Sequence, residues 1–195
     1  MLKPEGYDNI PENTIGEYQR PTAGPVVMKI LKAKDVISSN DRPMLVLYLD
    51  IAKGPFAGHF KKLYDFLKSK NTEAKWPCIH RRCQDGDQVA YLKSDIKAIE
   101  ESNLGFKFNF DENTLSGKLV GCMLGEKEIN IEGKIALEPR WLCSAKKAES
   151  GTLTTPNKKP FDGTKRPQTK TASTEDAPTH TDADFVPSEE GDLPF

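Results

Sequence analysis

The run Met44-Leu45-Val46-Leu47-Tyr48-Leu49-Asp50-Ile51-Ala52 decides the fold. Leu45, Leu47, Leu49 and Ile51 recur at period two, as on the core side of a strand, while Val46, Tyr48 and Asp50 fall on the other face. A helix would space its apolar positions three and four apart. Upstream, residues 26–36 alternate less regularly. They lie between Gly24-Pro25 and Ser38-Ser39-Asn40-Asp41, and read as a strand followed by a turn. Downstream, Gly54-Pro55-Phe56-Ala57-Gly58 reads as a turn, and residues 59–66 as a third, aromatic-rich strand. Residues 67–87 are polar and irregular.

The period then changes. Over residues 88–102, Leu92, Ile96 and Ile99 share a helical face, and Asn103 and Gly105 supply a stop. Residues 106–110 alternate briefly. Residues 119–124 and 129–137 read as the last two strands, with Gly125-Glu126-Lys127 turning between them. Three strands, a helix and two strands predict a mainly β chain. The expected architecture is a five-stranded OB-fold barrel with one helix between strands 3 and 4. Other small barrels and α+β sheets share the pattern.

Composition narrows the class. With 36% hydrophobic residues and a mean hydropathy of −0.60, the chain has no run near the ~20 apolar residues that span a bilayer. The first residues lack a signal-peptide pattern, so a cytoplasmic, non-membrane protein is expected. Four cysteines (Cys78, Cys83, Cys122, Cys143) are too few for a secreted disulfide scaffold. Cys78, His80 and Cys83 could hold zinc, but the spacing departs from the usual paired ligands, and ordinary reduced thiols are the favoured reading. No phosphate-binding glycine loop and no carboxylate cage stands out, so neither cofactor, metal nor enzymatic activity is expected.

The net charge of −1 conceals a polarity. Residues 1–147 carry 23 Lys and Arg against 20 acids, whereas residues 148–195 carry 5 against 9. Beyond residue 147 large apolar side chains are scarce, too few to offset the entropy of ordering the chain. Residues 1–147 are therefore expected to fold, and residues 148–195 to form a disordered linker and acidic tail.

In the body, aromatic residues sit among cations: Phe60, Lys61, Lys62 and Tyr64; Trp76 with Arg81 and Arg82; Arg140 with Trp141. Single-strand binding needs this mixture, because rings stack on any base and cations follow the phosphates. The bland alternatives are a core ring for Phe60, Tyr64 or Trp141 and a solvated strand edge for Lys61-Lys62. Phe106, Phe108 and Phe110 are expected to be core. The chain ends in Asp192-Leu193-Pro194-Phe195 after Glu189 and Glu190. A ring, a terminal carboxylate and steering acids together suit a basic pocket on a partner.

That ending resembles the C-terminal tip of bacterial single-stranded DNA-binding proteins, a run of acids closing in Ile- or Leu-Pro-Phe. The body is closer to the divergent phage-encoded members. There, a strand like residues 44–52 leads into a Gly-x-x-x-Gly turn, as at Gly54 to Gly58, and an aromatic strand. A helix and a segment such as Gly117-Lys118-Leu119-Val120-Gly121 follow. The resemblance implies non-specific coating of single-stranded DNA during replication, recombination and repair, in a host cytoplasm if the chain is phage-encoded. It also implies docking of the tip on a polymerase, helicase or nuclease. A homo-oligomer is allowed. The rivals are a strand-annealing or recombination-mediator protein, a nuclease, and a protein-binding adaptor.

Overall fold

The computed structural model describes residues 20–163. Five strands form one sheet: β1 (Gly24–Ile37), β2 (Pro43–Ile51), β3 (Ile79–Cys83), β4 (Leu119–Glu128) and β5 (Ile135–Cys143). Their order is β3-β2-β1-β4-β5, and all four ladders are antiparallel. The helices are α1 (His59–Lys70), α2 (Gln88–Ser102) and α3 (Ala145–Glu149), with a 3-10 turn at Glu112–Leu115. The two ends of the sheet, β3 and β5, touch each other, and α2 packs on β3, β4 and β5. Among the described residues no ladder joins β3 to β5, so the barrel is nearly closed. A mainly β barrel with a helix between β3 and β4 is the OB-type architecture.

β1 makes the barrel possible by serving both halves. Its first residues pair with β4 and the remainder with β2. Between Ile30 and Lys32 the register against β2 slips by one, leaving Leu31 as the extra residue of a β-bulge. Bulges bend and twist a strand, which curls the sheet. Ile30 and Leu31 both face the core in consequence, and the alternation of β1 looks irregular in sequence for that reason. The core joins Leu45, Leu47, Leu49 and Ile51 of β2 to Met28, Ile30, Val120, Cys122, Leu124 and Ile99. Each large aliphatic side chain so buried contributes about 1.5–3 kcal/mol.

Two stretches differ from expectation. Residues 59–66 form α1, not a third strand. Phe60, Leu63 and Tyr64 meet the core at helical spacing, and Gly58, with φ 72°, turns the chain into the helix. Asp50 then receives the amide N–H of Phe60 at 2.9 Å and of Lys61 at 3.2 Å, two of the donors a helix start leaves open. The third strand instead lies inside the polar stretch, as Ile79–Cys83. At the far end, Gly125, Glu126 and Lys127 belong to β4, and the turn lies at residues 129–134. Phe106 and Phe108 pack on the core, but Phe110 does not: it is exposed, with φ 64°.

The chain does not leave the barrel at residue 147. α3 packs over Gly121, and the chain then returns along β4. There Lys159 N–H donates to the Glu126 carbonyl at 2.9 Å, and Glu128 N–H to that of Lys159 at 3.0 Å. Residues 164–195, with the tip Asp192-Leu193-Pro194-Phe195, lie outside the described residues. Among the described residues no helix is long and apolar enough to cross a membrane.

Candidate nucleic-acid interface

Strand alternation sorts the side chains of β1, β2 and β3 between the core and the outer face. Because of the bulge, Lys29, Lys32 and Lys34 all lie on the outer face, where strict alternation would have turned the last two inward. Their partners on β2 are Asp50, Tyr48 and Val46. On β3, Arg81 is opposite Val46 and Ile79 opposite Tyr48. Three lysines, an arginine and a tyrosine thus share one patch of sheet.

Val46 is only 3% exposed although it lies on this outer face, between Lys34 and Arg81. Long cationic side chains cover apolar surface with their stems and keep their charged ends in water. Arg81 acts electrostatically on Tyr48. Burial pushes the Tyr48 phenol above its ordinary value and the Arg81 charge holds it back; burial lowers Arg81 and Tyr48 raises it. On the outer face of β1, β2 and β3 the acid is Asp50, and its carboxylate is occupied by the amides of Ile51, Phe60 and Lys61. Collecting like charges on one strand face costs stability. Such local conflicts are expected where a surface has a function beyond folding. The patch can neutralise phosphates along β1 and β3 and offer the Tyr48 ring to a base.

The candidates named from sequence divide. Arg81 belongs to the patch. Arg82 alternates to the inner side, where its Nε donates to Asp95 Oδ2 at 2.7 Å and its guanidinium lies 5.3 Å from the Tyr91 ring. His80 Nε2 lies 2.9 Å from the same Asp95 oxygen. This trio, with His80 and Asp95 buried and Arg82 half-buried, ties α2 to β3, so the guanidinium of Arg82 is engaged on the inner side and away from the patch. Phe60 is 2% exposed and Trp76 5%; both are core rings, and neither has a face to give a base. Trp76 sits against Tyr64, with ring centroids 5.2 Å apart, and donates its indole N–H to the Leu49 carbonyl at 3.0 Å. Its position in a polar stretch concealed this, because one hydrogen bond to the backbone satisfies the indole inside the core.

Lys61, Lys62 and Tyr64 lie on α1, with Lys61 3.1 Å from Asp65 and Tyr64 half-buried. Trp141, 37% exposed, stands on β5 opposite Met123, outside the three strands that carry the patch. The zinc reading fails on geometry. Cys78 is a core residue, His80 faces Asp95, and Cys83 alternates to the opposite side of β3 from His80. No metal-binding cluster occurs among the described residues. Lys29, Lys32 and Lys34 were missed in sequence because the β1 bulge leaves no local signature, whereas Tyr48 falls on the outer face of β2 by period alone and lacked only its cationic neighbours. No protein-family model matches this chain, and no curated protein matches it either.

Proposed function

We propose that this chain binds single-stranded DNA across the outer face of β1, β2 and β3. The observation that carries this is the Leu31 bulge, which gathers Lys29, Lys32 and Lys34 around Tyr48 and Arg81. OB barrels use this region of the sheet for oligonucleotides. Binding is electrostatic and stacking in kind, with little sequence preference and no chemistry on the strand. In this reading the chain coats unpaired DNA during replication, recombination or repair. The acidic tip Asp192-Leu193-Pro194-Phe195 recruits a polymerase, helicase or nuclease, a role that rests on the sequence resemblance alone.

Fluorescence anisotropy with labelled oligo-dT tests it. Affinity should fall with salt at a log–log slope of roughly −0.7 per phosphate neutralised. A folded Lys29→Glu, Lys32→Glu, Lys34→Glu variant should lose most of its binding at low ionic strength. Undiminished binding by that variant rules this face out.

A further inference from the structure

α1 is an addition to the five strands and single helix of the OB plan: it fills the connection from β2 to β3. Its sequence, HFKKLYDFLKSK, holds four lysines and one acid, and that acid, Asp65, is paired with Lys61. Phe60, Leu63 and Tyr64 turn to the core. Lys62, Phe66 and Lys70 follow one another at four-residue steps along a different flank, about 40° apart around the axis per step. Phe66 is 60% exposed, and Lys70 Nζ lies 5.6 Å from its ring centroid. The stripe is a ring between two cations.

Its position gives it a use. Asp50 stands on the outer face two residues along β2 from Tyr48, roughly 7 Å by strand geometry, and it holds the amides of Phe60 and Lys61. The first turn of α1 is therefore fastened to the end of the cationic patch. Lys62 stands in that same first turn, its amide donating to the Gly58 carbonyl at 3.1 Å. From there the stripe runs on for roughly 12 Å to Lys70. A chain of nucleotides leaving Tyr48 along β2 meets the same alternation of cation and ring on α1. A lone surface phenylalanine needs no explanation; one bracketed by lysines, on a helix fastened at the end of a cationic face, matches a polyanion with stacked bases.

We propose that α1 is a second nucleic-acid contact, in which Phe66 stacks on a base and Lys62 and Lys70 hold the flanking phosphates, extending the site beyond the sheet. This rests on the sheet-face reading, and length dependence separates the two. OB domains occupy roughly 4–16 nucleotides, so oligo-dT of about 5 and about 15 residues would be titrated into the full chain. Tyr48→Ala should weaken both lengths. Phe66→Ala, and separately Lys62→Glu with Lys70→Glu, should weaken the longer oligomer on the order of tenfold and leave the shorter one unchanged. All these positions except Tyr48 are exposed, and circular dichroism would confirm folding. Equal affinity of wild type and α1 variants for the longer oligomer overturns the α1 contact while leaving the sheet face standing. Equal losses at both lengths also overturn it, because α1 would then be part of the primary site. Failure of the wild type to bind either length overturns both.

Discussion

Asp50 on β2 accepts the amide hydrogen of Phe60 at 2.9 Å, from ten residues earlier in the chain. A buried carboxylate thus completes the start of a helix that has no side-chain cap of its own. Asp50→Ala leaves buried donors without an acceptor, at a cost of roughly 1–3 kcal/mol. Urea unfolding should show that loss, and proteolysis should cut first in α1. A variant as stable as wild type would show that the amides find other acceptors.

Arg81 and Arg82 are neighbours with opposite roles. Arg81→Ala should reduce oligo-dT affinity and flatten the salt slope by roughly 0.7, with a smaller loss of stability than Arg82→Ala, from the uncovering of Val46. Arg82→Ala removes a partner of the buried Asp95 and should destabilise by about 3–5 kcal/mol. Where it still folds, its affinity should match wild type. Paired denaturation and anisotropy measurements decide; the reverse pattern would invert the assignment of the two strand faces.

Gly121 and Gly125 are both hemmed in, by different neighbours. A Cβ at Gly121 would lie 2.5 Å from the Ser144 carbonyl oxygen and 2.9 Å from Ala148 Cβ. A Cβ at Gly125 would lie 2.7 Å from Cγ of Arg140, whose side chain crosses β4 to donate to the Glu126 carbonyl. Each Ala substitution should cost about 1–3 kcal/mol. Arg140→Ala should recover much of the loss at Gly125 and none at Gly121. A double-mutant cycle measures both couplings.

Burial raises the thiol pKa of Cys78, Cys122 and Cys143 above the ordinary 9.0. The unfolded chain therefore releases these protons at lower pH than the native one. Stability from this source is complete well below pH 9.0 and declines as pH rises through that value, by up to about 1.4 kcal/mol per unit per thiol. Urea midpoints between pH 7.5 and 10 should fall accordingly. In native protein at pH 8, iodoacetamide should label half-buried Cys83 before buried Cys78 and Cys122. Labelling in the reverse order would contradict the strand assignment of β3.

The parts of this fold that were legible in sequence obey one period from end to end. β2 is such a stretch, and α2 begins and ends where its sequence indicates, at Gln88 and Ser102. α1 was misread because its aromatics suggested strand, although Phe60, Leu63, Tyr64 and Leu67 already follow a helical rhythm. β3 is five residues long and holds a histidine and two arginines, so it offers neither length nor apolar character. Of the candidate site, Arg81 was found, whereas Lys29, Lys32 and Lys34 share a face only through the extra Leu31. Phe60 and Trp76 were drawn from the right composition but the wrong side of the molecule, because burial depends on long-range packing.

The contact between β3 and β5 has a mechanical consequence. With no rungs across it, this seam behaves as a zipper left undone, and α2 is the latch laid over it. Asp95 rivets the latch to one lip through His80 and Arg82. Heating should spring the latch before the four paired ladders melt, baring two unprotected strand borders at once. How readily the molecule sticks to its own copies under stress should thereby depend on a single buried carboxylate, which grips the two residues on either side of Arg81.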